Sequence, residues 1–243
     1  MSLQLYYEDS YKSESGQDLQ SLRDKELHLS KGLFHYVQEM KNKFLTYKDW
    51  NGLRVLEVGS GRGGLSLHLA RLGANVTLLD FSAAALDQAE KIFALEGFQV
   101  KTLLADASRP DTSLNEKFDL IVDSHLLHCI CFNPERVSYY GFIQDHLRED
   151  GIFVAESMVH RKKLFIPDGF MFDQENILWQ MFGEWKPVRR ILDSVDLENE
   201  INQTGLKIKY FMYYANYAFV PHVTFMEIPS EVLPASVRFV LNR

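Results

Sequence analysis

The sequence is short of cysteine, of positive charge and of long apolar runs, and each shortage removes a class of function. Cys129 and Cys131 are its two cysteines, too few for a disulfide framework. A C-x-C pair needs further soft ligands to hold a metal, and free cysteines in an apolar run are ordinarily small buried hydrophobes. Lys and Arg number 26 against 33 Asp and Glu, a formal net charge of −7, which argues against a protein that clings to nucleic acid phosphates. No run reaches the roughly 18 apolar residues of a membrane span. The opening stretch MSLQLYYEDSYKSESGQD lacks the basic-then-apolar pattern of a secretory signal. The expectation is a soluble cytoplasmic protein with neither membrane nor nucleic acid as partner. Its length, 243 residues, and its 46% hydrophobic content suit one domain with embellishments.

What the sequence does have is organised around residues 53–72. Leu53, Val55, Leu56 and Val58 form a short apolar run, the pattern of a strand buried on both faces. Leu65, Leu69 and Leu72 fall on one face of a helix that begins at the glycines between. Gly59, Gly61 and Gly63 let the backbone take unusual φ and approach a ligand with no Cβ in the way. The free N–H groups of the new helix point at that ligand. The string also fits G-x-G-x-x-G through Gly59, Gly61 and Gly64, so a dinucleotide is one reading. Glu57 weighs against it, because like charges about 4 Å apart cost on the order of 4 kcal/mol at an effective dielectric of 20. A cationic ligand without phosphates would welcome that carboxylate.

Before this core, residues 1–20 read as a loose polar arm whose Tyr6, Tyr7 and Tyr11 either pack on the body or close over the site. Leu29, Leu33, Val37, Met40 and Phe44 give an amphipathic helix over 22–46. After it, Val76 to Asp80 is a second strand ending in an acid. Asp80 follows Gly59 by 21 residues, the offset at which an acid meets a ribose diol in doubly wound folds. Ser82 opens a helix that ends at Gly97. Residues 98–104 form a third strand leading to Asp106 and Ala107, and 118–123 a fourth leading through Ser124 to His125 and His128. A helix opens at Asn133-Pro134, with proline at its first position, and 152–156 is the fifth strand. Strands alternating with helices imply a parallel sheet that binds ligands at the carboxyl ends of its strands. Residues 158–192 read as an irregular aromatic insertion placed to serve as a substrate lid. Residues 194–204 form a helix and two alternating stretches supply the last strands, with an unassigned insertion at 214–234 between them.

Glu57-x-Gly59-x-Gly61-x-Gly63 resembles motif I of the class I S-adenosylmethionine (SAM) methyltransferases, nearest their small-molecule branch. The resemblance covers residues 53–157 and the last helix and two strands. It implies an α/β, Rossmann-like seven-stranded sheet of order 3-2-1-4-5-7-6 with strand 7 antiparallel, flanked by helices. It also implies SAM as cofactor, S-adenosylhomocysteine as product and a small-molecule acceptor. The cofactor contacts it implies are Glu57, Gly59, Ser60, Gly61, Gly63, Asp80 on the ribose, Phe81, Ser82, Asp106 near the adenine, Ala107, Asp123 and Ser124. No metal is implied, since no adjacent Asp-Asn pair follows the expected strand end. Asp123-Ser-His-Leu also differs from the motif of enzymes that methylate exocyclic base nitrogens.

His125 and His128 stand at the mouth of the fourth strand, and a histidine titrates near neutrality, as a general base for methyl transfer should. Packing or a backbone hydrogen bond is the competing role for each. His160 is a third candidate, and Arg161, Lys162 and Lys163 are a cationic run that could draw an acidic substrate. Two further functions stay open: a SAM-binding regulatory protein without turnover, and a nicotinamide oxidoreductase.

Overall fold

The computed structural model describes residues 3–14, 16–46, 48–109, 114–160, 164–214 and 232–243. Its centre is a seven-stranded sheet. Strands β1 (Arg54–Val58), β2 (Asn75–Asp80), β3 (Lys101–Leu104), β4 (Phe118–Ser124) and β5 (Leu147–Val159) run parallel. A later three-stranded antiparallel sheet comprises β6 (Phe170–Phe172), β7 (Ile177–Met181) and β8 (Trp185–Arg190). The chain then returns to the main sheet as β9 (Lys207–Tyr214) and β10 (Ala235–Asn242). The order is β3-β2-β1-β4-β5-β10-β9, and β10 is antiparallel to both its neighbours. Counted within this sheet alone, that is the expected 3-2-1-4-5-7-6.

Helices α1 (Leu3–Ser13), α2 (Leu19–Phe44), α3 (Gly64–Ala70), α4 (Ala83–Leu95), α5 (Asn133–His146) and α6 (Ser194–Asn202) flank the sheet. One apolar cluster joins α2, α3 and α4 to one face through Leu22, Met40, Leu65 and Phe93. A second joins α5 and α6 to the other through Tyr139, Ile143, Leu197 and Ile201. With both faces covered, the parallel strands are apolar on both sides, which is why they appear in the sequence as continuous runs.

Two expectations are corrected. The arm at 1–20 is not loose: α1 lies on α4, where Glu8 accepts from Ser82 Oγ (2.6 Å) and Ala84 N (3.3 Å), and Gln88 Nε2 donates to Tyr11 O (2.7 Å). These contacts hold a helix whose own sequence has little apolar periodicity. The stretch 158–192 is not irregular either. Its three strands cover a small core of Met158, Leu164, Leu178, Val188 and Ile191. Most of the 214–234 insertion, with Arg161, Lys162 and Lys163, lies outside the described residues.

Candidate active site

The parallel strands end together at one edge, and β1 ends in the glycine turn. Gly59, Gly61 and Gly63 all take left-handed φ, +62°, +52° and +71°. A Cβ on Gly59 would stand 2.8 Å from Leu126 Cβ, and one on Gly61 2.6 Å from Tyr11 Oη. Side chains at these positions would therefore be strained and crowded, which leaves a concave stretch of bare backbone. Ser60 Oγ is buried in that turn with no hydrogen-bond partner, an orphaned group that a ligand would satisfy.

Glu57, 2% exposed, lies beneath the turn and accepts from Ser66 N (3.1 Å) in the first turn of α3. Burial pushes its carboxyl up to about 8, against the pull of the Ser66 bonds. Asp80 closes the turn from β2, accepting from Gly61 N (2.8 Å) and Ser82 N (2.9 Å). Burial raises its pKa and those two donors lower it. Phe81 follows at the rim, and Ser82 caps α4 by accepting from Ala85 N (3.1 Å). Asp106 forms a tight turn with Ser108, accepting from its N (2.9 Å) and Oγ (2.6 Å), and pairs with Arg109 (3.1 Å). Ala107 is buried in the core beside it. Ser124, half-buried, ends β4.

Asp123 differs from expectation. It is fully buried and spends its carboxylate inside the protein, on Leu126 N (2.6 Å), Leu127 N (3.0 Å) and Tyr139 Oη. Burial pushes it up to about 6, opposed first by the Tyr139 bond. Its work is to fold the loop after β4 so that Leu126 meets Gly59.

That loop presents His125 with φ +84°, a conformation rare outside glycine and worth notice where it occurs next to a crevice. The His125 side chain is 37% exposed, and its Nε2 meets Glu156 Oε1 at 2.7 Å. Glu156 is 2% exposed and is also paired with Arg238 Nε. Burial works to raise the Glu156 pKa, but the His125 and Arg238 contacts outweigh it and hold the carboxyl below its ordinary range. An ionised Glu156 orients the His125 ring through its contact with Nε2. His128 is different: it is 2% exposed, accepts at Nδ1 from Met158 N (3.2 Å), and burial holds its pKa well below the ordinary value. It is a neutral packing group. His160 lies at the root of the insertion, with Nε2 3.3 Å from Asn176 Oδ1 and its ring edge-on to Phe172.

Two elements cover this edge. Tyr11 of α1 lies over Gly61, and the Tyr7 ring packs 6.0 Å from Phe81 with its hydroxyl 3.8 Å from Cys129 Sγ. The β6–β8 sheet meets α1 where Tyr6 packs 5.2 Å from Phe182. Cys129 donates to His125 O (3.2 Å), and burial pushes Cys131 up to about 12. No cluster of three or more His, Cys, Asp or Glu fit for a metal occurs among the described residues. Sequence reasoning missed Glu156, whose signal was a carboxylate closing a wholly apolar strand, and Arg189, which had no signal.

The residues fit SAM: a bare-backbone turn with an orphaned Ser60 Oγ, an acid at Asp80, and a cation, Arg62, that is already committed. That Arg62 is 5% exposed and is consumed by Glu14 (2.7 Å), Glu26 (3.0 Å) and Gln88 (2.6 Å). Comparison with known proteins agrees. The profile of the family described as "Methyltransferase domain" matches residues 49–215. The ribosomal protein L11 methyltransferase of Acetivibrio thermocellus is 31% identical over 150 residues, which are 60% of this chain and 45% of that protein. The ubiquinone biosynthesis O-methyltransferase of Actinobacillus pleuropneumoniae serotype 7 is 29% identical over 147 residues, 58% of this chain and 59% of that one. The chain thus spans about half the length of these relatives. A SAM-dependent methyltransferase from Clostridium acetobutylicum shares the fold, with TM-score 0.59 at 18% identity, over 94% of this chain and 93% of that one. The glycine turn, the Asp80 offset and the sheet order converge with the profile match: this chain belongs to the methyltransferase domain family, within the class I SAM-dependent methyltransferase fold.

Proposed function

We propose that the chain transfers the methyl group of SAM to a small-molecule acceptor enclosed between the glycine turn and the β6–β8 sheet. The observation that carries this reading is the covered edge: Tyr11 over Gly61, Tyr7 on Phe81, and Tyr6 on Phe182 roof the crevice from two sides. A roofed crevice suits a small acceptor better than a folded protein, so the reading follows the ubiquinone-pathway relative rather than the L11 one. No helix among the described residues is long and apolar enough to cross a membrane.

SAM, when bound, supplies an electrophilic methyl on a sulfonium cation. The chain's task is to hold the acceptor in line with it. Gly59, Gly61 and Gly63 give the cofactor close backbone approach, and Ser60 Oγ gains a partner. Each Asp80 oxygen, already accepting one N–H, has a further lone pair for a ribose hydroxyl. Asp106 and Ala107 flank the adenine side; Phe81, Ser82 and Ser124 complete the rim, and Glu57 supports the turn from beneath. His125 is the general base: it takes the acceptor's proton, and Glu156 steadies the resulting imidazolium.

The test is S-adenosylhomocysteine release from SAM across a panel of small hydroxyl, amine and thiol acceptors. His125→Ala is expected to lower kcat on the acceptor found while S-adenosylhomocysteine affinity stays within a few-fold. Tight cofactor binding with no turnover on any acceptor would replace this reading with a SAM-binding regulatory protein.

A further inference from the structure

Among the described residues, the arginines buried near the site each have a carboxylate, and the half-buried Arg189 and Arg190 of β8 do not. Arg62 holds Glu14 and Glu26, Arg136 chelates Glu200 (2.6 and 2.8 Å), and Arg238 is paired with Glu156. Arg189 on β8 has no ion pair with any described carboxylate. Its Nη1 donates to the adjacent Val188 carbonyl (2.6 Å), and its Nε is buried with no partner. The neighbouring Arg190 shares a partnerless Nε, but it reaches Asn133 Oδ1 and Cys131 O and feels Glu200 and Glu175. Arg189 meets the Tyr7 side chain and no described carboxylate.

Its position is specific. The guanidinium lies 5.9 Å over the Tyr7 ring, and Tyr7 in turn touches Phe81 and Cys129. Cys129 donates to the backbone of His125. Arg189 therefore lies against Tyr7, where the α1 cover meets the His125 loop, with Tyr7 between it and Phe81. The groups nearest its charge are Tyr7, Cys129, Cys131 and His128. Burial holds the Tyr7 phenol above its ordinary range, so it supplies no anion, and His128, kept neutral by burial, is not an anion in either of its forms. A part-buried guanidinium without a counter-charge is unfavourable unless something brings one. Its fork of donors matches a planar carboxylate.

We propose that Arg189 is the specificity-determining residue of the acceptor site and that the acceptor carries a carboxylate. This deepens the proposed function and rests on it. The chain's net charge of −7 repels anions at long range, so such selectivity has to come from a local, desolvated cation of this kind.

The experiment titrates the 243-residue chain, with S-adenosylhomocysteine present, with benzoate and with benzamide. The readout is the Arg189 Nε–H resonance in 15N-labelled protein, together with calorimetry. Benzoate should shift that resonance saturably and bind at least about tenfold tighter than benzamide. Arg189→Gln should reduce benzoate to the level of benzamide while S-adenosylhomocysteine affinity stays within about twofold, and Arg189→Lys should keep part of the preference. Equal binding of the two probes, wild-type benzoate affinity in Arg189→Gln, or no saturable benzoate shift would each overturn the assignment. Loss of S-adenosylhomocysteine affinity in Arg189→Gln with benzoate unaffected would make Arg189 a latch for α1 instead. Failure of the wild type to bind S-adenosylhomocysteine would refute the cofactor reading on its own, and the benzoate arm would still decide Arg189.

Discussion

Glu156→Gln separates the catalytic from the structural use of one carboxylate. One oxygen holds His125 Nε2 at 2.7 Å and the other is paired with Arg238. Glutamine keeps the shape and loses the charge. A hydrogen bond to a charged group is worth about 1.5–3 kcal/mol, and the Arg238 bond loses that assistance in the ground state of the folded protein. At roughly 2–4 °C per kcal/mol for a domain of this size, the melting midpoint should fall by about 3–12 °C. The His125 bond, already made to an ionised Glu156, gains its second charge when His125 takes a proton. The same 1.5–3 kcal/mol is then added to the barrier, and kcat should fall roughly 10- to 150-fold. S-adenosylhomocysteine release measures kcat, and calorimetry should show cofactor affinity within about threefold of wild type. Arg238→Met is the control: it breaks the ion pair, lowers the midpoint by a similar amount and leaves the His125 contact in place, so kcat should stay within a few-fold. If Glu156→Gln lowers the midpoint but turns over like Arg238→Met, the dyad does no catalytic work.

Two further outcomes follow from the glycine turn and the acid beneath it. Gly61→Ala forces a Cβ onto a residue at φ +52° and to 2.6 Å from Tyr11 Oη, so S-adenosylhomocysteine affinity measured by calorimetry should drop by at least about tenfold; wild-type affinity would show that the cofactor does not approach this backbone. Glu57, raised to about 8 from an ordinary 4.5 by burial, binds a proton in the folded state that the unfolded chain has released. The ligand-free protein should therefore lose stability as pH rises from about 4.5 through 8, at up to roughly 1.4 kcal/mol per pH unit. Glu57→Gln, which keeps an acceptor for Ser66 N, should flatten that slope, and an unchanged slope would place the proton elsewhere.

Local signals carried much of this. The glycine turn, the strand-helix alternation and the capping Ser82 act through nearest neighbours, and the parallel strands and helix α4 formed as those signals imply, while the sheet order followed from the family resemblance. Asp80 was legible because its offset from Gly59 is fixed by one βαβ unit. Asp123 was not. A carboxylate at a strand end can face the crevice or fold its own loop, and only the placement of Tyr139, 16 residues later, decides for the interior. Helix α1 was illegible for the same kind of reason, since its order comes from Ser82, Ala84 and Gln88, more than 70 residues away. The β6–β8 sheet was hidden by its composition: its core is small, and aromatic residues in short strands read much like those of an irregular loop. Arg189 became visible only when the partners of the buried arginines were known.

The central claim, a SAM cradle built from Asp80 and the glycine turn, is tested most directly by thermal unfolding with S-adenosylhomocysteine. At 100 times its dissociation constant a ligand of the folded state adds about 2.7 kcal/mol, which for this size is a rise of roughly 5–10 °C. Asp80→Ala removes the ribose acceptors, and also the Gly61 and Ser82 bonds, so its shift is read against its own ligand-free midpoint. It should need well over about ten times more ligand for the same rise. NAD, whose pyrophosphate would find Arg62 already held by Glu14 and Glu26, should give no comparable shift. A larger rise with NAD than with S-adenosylhomocysteine, or an Asp80→Ala protein that responds like the wild type, would contradict the account.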